Sequence, residues 1–136
     1  MTKKVEFDKY INFVDGVTSD PSKDYQSFIE SLNLLAGKGA NINRLATAAV
    51  GLSAESGEFL EIIKKMVFQG KPYNADNREH LIIELGDIMW YVAQACMALD
   101  ISFDEVLATN IEKLGKRYPE GTFDEFFSEN RKAGDR

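Results

Sequence analysis

The stretch HLIIELGDIMWYVAQACMALD, residues 80–100, decides the fold because it is apolar nearly all the way round a helix. Two sides of this helix are apolar, the first formed by Leu81, Leu85, Ile88, Met89, Val92, Cys96 and Leu99 and the second by Ile83, Trp90 and Met97. A helix with this pattern is buried on more than one face. We therefore expect a central helix of an all-α fold, with a second copy of the chain covering the face that a small bundle leaves open.

Helical periodicity continues on both sides of this stretch, and no segment shows the alternation typical of strands. Short connections between long amphipathic helices favour antiparallel packing. The expected fold is a compact antiparallel helical bundle of about four helices, completed by homo-oligomerisation. The main helices are predicted over about 23–36, 42–69, 75–99 and 103–117, with a possible short helix at 7–14 and a last turn opened by a capping box at Thr122.

Composition bounds the class of protein. The 136 residues suit one domain, 1–136, with a polar tail over about 128–136 that we expect to be mobile. A net charge of −6 argues against binding to a nucleic acid polymer or an anionic membrane. The single cysteine, Cys96, allows no internal disulfide, and no apolar run approaches the 18 residues needed to span a bilayer. A soluble, cytoplasmic protein is predicted.

Acidic side chains occupy the sector of residues 80–100 that is not apolar. Glu84 and Asp87 lie three residues apart there, and His80 shares their side of the helix. The preceding helix contains AESGEFLEIIKK, residues 54–65, with three glutamates at the same spacing, Glu55, Glu58 and Glu61. The apolar stripe of this helix is formed by Leu45, Ala48, Leu52, Phe59, Ile63 and Met66. Helical projection places Glu55 about 60° and Glu58 about 120° from the centre of this stripe, and Glu61 nearly opposite it. Glu55 and Glu58 are therefore expected near the core edge and Glu61 on the outside.

Two antiparallel helices, each with an acidic pair, can bring four carboxylates to one point. Oxygen ligands of this kind suit Mg²⁺, with Mn²⁺ as a substitute, rather than zinc. The predicted metal ligands are Glu55, Glu58, Glu84 and Asp87. The alternative is that these acids only form a solvated surface. We expect His80 to support the site or the start of the helix rather than to bind the metal.

A magnesium ion held by carboxylates often binds the phosphates of a substrate. Asn110, Lys113 and Arg117 share one narrow sector of the next helix and could contact those phosphates. The alternative is that they are solvated residues near a helix C-terminus, where the helix dipole favours cations. Lys65, close to the first acidic pair, is a weaker candidate for substrate binding.

Three segments resemble the MazG-like nucleoside triphosphate pyrophosphohydrolases of the all-α NTP pyrophosphatase superfamily. They are GLSAESGEFLEIIKK, residues 51–65, ELGDIMWYVAQACMALDIS, residues 84–102, and NIEKLGKRYPEGTF, residues 110–123. The family pattern is ExxE, a spacer, ExxD and a later helix ending in a KLxxRYP-like segment. Either acidic motif alone is common, but both at this spacing with the basic segment are specific, and the match covers about residues 45–123. Ala54 stands where many members have Gly or Glu, and residues 1–40 match no pattern that we can place.

The resemblance implies Mg²⁺-dependent cleavage of a nucleoside triphosphate between its α and β phosphates, by a metal-activated water, giving a monophosphate and pyrophosphate. It assigns catalysis to the acids, including Glu61 as a secondary ligand or water-positioning base, and phosphate contacts to Asn110, Lys113 and Arg117. Relatives form dimers and tetramers.

One other function remains an alternative from the sequence, and a second is disfavoured. The chain could be a non-catalytic bundle that senses nucleotides or binds a partner while keeping its acids. A di-iron carboxylate bundle would use Glu-x-x-His motifs, and this chain has none.

Overall fold

Side chains at the helix starts show how the sequence sets the helix boundaries. In the computed structural model, which describes residues 2–135, four helices begin after a residue whose side chain accepts a hydrogen bond from a backbone N–H of the first turn. Those residues are Asp24, Asn74, Ser102 and Asp124. The helices are α1 Phe7–Gly16, α2 Asp20–Lys23, α3 Tyr25–Gly37, α4 Ile42–Phe68, α5 Ala75–Leu99, α6 Phe103–Arg117 and α7 Glu125–Glu129.

The all-α prediction is confirmed, since the described residues form helices and no strand. The bounds of α5 agree with the prediction, and those of α4 and α6 agree within a residue. Two details differ. A single helical turn, α2, was not predicted, because Pro21 suggested a break although proline is well tolerated in a first helical turn. The cap of α7 is Asp124 rather than Thr122.

The chain divides into two compact units, Met1–Ile42 and Asn43–Arg136. The first unit contains α1, α2 and α3, and none of their described residues is buried. A hydrogen bond connects α2 to α1, in which Nζ of Lys23 donates to the backbone oxygen of Asp15 at 3.0 Å.

In the second unit, α4 and α5 run antiparallel. Arg44, near the start of α4, donates from Nη1 to Oε1 of Gln94, near the end of α5, at 3.0 Å. Farther along α4, Gly51 lies against the ring of Tyr91, which comes earlier in α5. The buried apolar residues are few, namely Ala48, Ile62 and Cys96. This pair of helices therefore forms the framework on which the acidic motifs lie.

The loop between α4 and α5 needs a backbone conformation that favours glycine. Gly70 follows α4 with φ +71°, in the left-handed region that side chains disfavour. Pro72 comes next but one and cannot continue the helix. The turn lets α5 return along α4.

Much of the apolar surface of α5 is exposed, including Ile83, Leu85, Trp90 and Met97. By length and composition alone, α5 is long and apolar enough to cross a membrane, since an 18-residue window within it has a mean hydropathy of 1.3, although the expectation from the sequence was that no apolar run approaches 18 residues. The expectation overlooked that two acids among so many apolar residues leave the average high. One such helix is weak evidence for a membrane span.

Candidate functional site

Glu55, Glu84 and Asp87 come together between α4 and α5. One carboxylate oxygen from each lies within 4.8 Å of the other two. We call these three residues the acidic cluster. Glu55 comes from α4 and the other two from α5, so the cluster exists only because the antiparallel pairing sets the acidic motifs opposite each other.

A close approach of the helices one turn away supports this geometry. Gly51 precedes Glu55 by four residues, and Tyr91 follows Asp87 by four, so both pairs lie one turn along their helices. A methyl group on Gly51 would overlap the Tyr91 ring. The absence of a side chain at residue 51 therefore lets the helices approach next to the cluster.

Glu84 is the most enclosed member of the cluster, with 9% of its surface exposed. Its Oε1 lies 3.0 Å from Nε2 of His80, one turn earlier in α5. A buried carboxylate is costly without hydrogen bonds or a counter-charge. His80 thus contacts the cluster from outside, in the supporting position that we predicted for it, and is not among the three clustered groups.

The pKa of Glu55 is raised above its ordinary value, first by burial and then by the negative charges of Asp87 and Glu84. A hydrogen bond with Glu84 and the charge of Glu58 act in the same direction. Like charges held close together repel, which disfavours the ionised form of Glu55. A divalent cation in the same place would remove that repulsion.

The other two glutamates of α4 have different surroundings. Glu58 is exposed and contributes its charge to the cluster without being one of the three clustered groups. Glu61 forms ion pairs with Lys64 at 2.9 Å and Lys65 at 3.5 Å. The hydrogen bond from Lys64 lowers the pKa of Glu61, with smaller help from Lys65. Glu61 is therefore neutralised within its own helix, and Lys65 is occupied by the same contact.

The residues of α6 that were predicted to bind phosphate have partners outside the acidic cluster. Arg117 donates from Nε and Nη2 to the two carboxylate oxygens of Asp135, at 2.6 and 2.7 Å. Lys113 is near enough to Asp135 to lower the pKa of that carboxyl group, whose largest cause is the bond from Arg117. Asn110 is exposed. Within residues 2–135, no hydrogen bond or ion pair joins these three to the acidic cluster.

Sequence reasoning missed the partner of Arg117. Asp135 lies in a polar segment without periodicity, and no motif marks it. It also missed the contact between Gly51 and Tyr91, although a glycine one turn before Glu55 was a signal that could have found it.

The carboxylate cluster between the two antiparallel helices offers oxygen ligands of the kind that a divalent cation could bind. Residues 44–122 match the family model of the MazG nucleotide pyrophosphohydrolase domain. The chain therefore belongs to the MazG family, and the resemblance seen in the sequence is confirmed. The family implies nucleotide pyrophosphohydrolase activity in general, typically dependent on a divalent metal.

A relative is the "Gene 37 protein" of Mycobacterium phage L5, which is 37% identical over 87 residues, covering 63% of this chain and 76% of the phage protein. Its name describes no activity. No solved structure matches the chain significantly.

Proposed function

We propose that the protein is a Mg²⁺-dependent nucleoside triphosphate pyrophosphohydrolase that cleaves its substrate between the α and β phosphates. The observation that carries this proposal is the acidic cluster within the segment that matches the MazG domain. Its three oxygens lie close enough to share one cation, and they lack a lysine or arginine partner among the described contacts.

Glu55, Glu84 and Asp87 would hold the metal, and Glu58 would join them through its exposed carboxylate. Carboxylate oxygens fit Mg²⁺, with Mn²⁺ as a substitute. When bound, the cation supplies charge neutralisation for the phosphates and lowers the pKa of a coordinated water. Glu61 would take at most a secondary part, because Lys64 and Lys65 already neutralise it.

The phosphates of the nucleotide would contact Lys113 and Arg117, with Asn110 as a polar neighbour on the same side of α6. These assignments rest on the family resemblance of NIEKLGKRYP, residues 110–119. Lys65 is a weaker candidate because its ammonium group already faces Glu61.

A homodimer or homotetramer would cover the exposed apolar side chains of α5, such as Ile83 at 55% exposed and Trp90 at 56%. Interfaces of permanent oligomers resemble a core cut in half, which is the character of this surface. Analytical ultracentrifugation at micromolar concentration tests this, and a monomer of 15.3 kDa would refute it. We further propose a cytoplasmic protein that binds neither nucleic acid polymers nor membranes.

The experiment that tests the activity is incubation with each NTP and dNTP and Mg²⁺, with products identified by phosphorus NMR. We expect a nucleoside monophosphate and pyrophosphate, and loss of both in Glu58→Gln and Asp87→Asn. Release of diphosphate and inorganic phosphate would contradict the cleavage position. Tight nucleotide binding without turnover would favour the alternative, a nucleotide-sensing or partner-binding bundle. Comparing kcat/KM across the panel identifies the preferred base and sugar.

A further inference from the structure

Arg117 is already engaged by an anion from its own chain. The two oxygens of Asp135 face Nε and Nη2 of Arg117 in the parallel, two-bond arrangement that guanidinium groups form with carboxylates and phosphates alike. Both side chains are enclosed, with 12% of Arg117 and 9% of Asp135 exposed. The strongest phosphate-binding edge of Arg117 is therefore occupied.

The surroundings of Asp135 match those of an anion held in a basic site. The charges of Lys113 and Arg131 also favour its carboxylate, after the dominant bond from Arg117. A cavity of about 670 Å³ lies beside this contact, between the second half of α6 and residues 132–135. Lys116 and Lys132 line it together with Lys113. Cations outnumber acids in this lining, and Asp135 supplies one of the negative charges.

We propose that Asp135 competes with a phosphate group of the substrate for Arg117 and thereby determines the affinity of the protein for nucleotide. This inference rests on the proposed function, since it takes Arg117 as a phosphate contact. The segment 132–135 would leave Arg117 when a phosphate binds and return when the product departs. Its only described backbone bond is within itself, from the N–H of Asp135 to the oxygen of Lys132 at 3.0 Å, so its release breaks no helix.

An opposite role for Asp135 makes a different prediction. If it only oriented Arg117 toward the substrate, removing its carboxylate would weaken phosphate binding. If it competes, removing it strengthens binding. The sign of the effect therefore decides between the two roles.

The test compares Asp135→Asn with Glu120→Gln in the full chain. Both variants remove one negative charge, but Glu120 is exposed and is not among the residues that line the cavity. Titration calorimetry with inorganic pyrophosphate in EDTA measures phosphate binding without a bridging metal. We expect Asp135→Asn to bind about fivefold more tightly than the wild type, the size of effect typical of breaking one ion pair. Glu120→Gln should change binding by less than about twofold.

A double variant isolates the contact. In an Arg117→Ala background, the substitution Asp135→Asn should no longer alter the affinity for pyrophosphate, because the competition has lost its target. An effect that persists there, an equal gain in Glu120→Gln, or weaker binding in Asp135→Asn would each overturn the proposal. Circular dichroism of every variant must match the wild type, and the proposal is judged on variants that do.

Nucleotide turnover separates this inference from the proposed function. In an active enzyme, Asp135→Asn should lower KM by about the same factor as it tightens pyrophosphate binding, with kcat changed less. If the wild type hydrolyses no nucleotide, the proposed function fails, while the calorimetry still reports whether Asp135 competes at Arg117.

Discussion

Two regions of the second unit differ in whether their charged side chains are paired with an opposite charge. Between α4 and α5, three carboxylates face one another, and their one described partner outside the cluster is His80. At the end of α6, Arg117 is fully matched by Asp135. The first region has a surplus of negative charge in a half-buried place, and the second has its cation already satisfied.

The comparison indicates at which of the two regions a bound ligand should stabilise the protein more. Burial and then the charges of Asp87 and Glu84 raise the pKa of Glu55, and a cation bound in the acidic cluster would offset the repulsion among these carboxylates. An anion that binds Arg117 must first displace Asp135, so the net free energy of its binding is smaller. Metal binding should therefore be strong and precede strong nucleotide binding.

The largest effect is expected from Glu84→Gln. It keeps the shape of the side chain beside His80 but removes the most buried charge of the cluster. We expect pyrophosphohydrolase activity to fall by about 100-fold or more, with weaker Mn²⁺ binding measured by electron paramagnetic resonance. The matched control is Glu61→Gln, which should lower activity by less than about threefold, because Glu61 is paired with Lys64. Equal losses in both variants would show that Glu61 is as much a part of the site as Glu84 and would contradict this contrast.

A medium effect is expected from Gly51→Ala, which alters the framework of the cluster without touching a carboxylate. The added methyl group would overlap the Tyr91 ring and push α4 and α5 apart. We expect a loss of about 1–3 kcal/mol in the free energy of unfolding, measured in urea, together with weaker Mn²⁺ binding. Gly57→Ala in the same helix meets no atom within 4 Å and should be neutral or slightly stabilising. Unchanged metal binding in Gly51→Ala would show that the helix spacing does not control the cluster.

The smallest effect is expected on Tm, where replacing Glu55 and replacing Glu61, two glutamates of α4, should cause changes of opposite sign. The pKa of Glu55 is raised on folding, so its protonated form favours the folded state. The stability that it contributes is present below its ordinary pKa and is lost as the pH rises through the raised value. In EDTA at pH 7, Glu55→Gln should therefore raise Tm, and the gain should vanish on acidification below about pH 4.

Glu61 should behave in the opposite way. Its pKa is lowered by the Lys64 bond, so its charge contributes stability above its ordinary pKa, and that stability is lost as the pH falls through the lowered value. Glu61→Gln should thus lower Tm at pH 7. Adding Mg²⁺ should raise the Tm of the wild type and of Glu61→Gln, but raise that of Glu55→Gln much less. Identical responses of the two variants would remove the contrast between a liganding and a surface glutamate.

Most of the secondary structure could be predicted from local sequence patterns. The caps at Asn74 and Ser102 and the stop at Gly70 act through neighbouring backbone groups, so the bounds of the long helices could be predicted. The angular argument that placed Glu55 toward the core edge and Glu61 outward also used only the helical period. The turn α2 was not predicted because Pro21 suggested a break and because four residues are too few to show helical periodicity.

The sequence by itself determined the all-α class, the family and the pairing of two acidic motifs, because these depend on periodicity, composition and spacing along the chain. Only the tertiary structure decided which acids meet and which cation is already taken. Glu84 gains its proximity to Glu55 from the packing of α4 on α5, and Arg117 meets Asp135, which lies 18 positions later in the chain. Such contacts depend on how separate elements approach in space, and no local pattern encodes that distance.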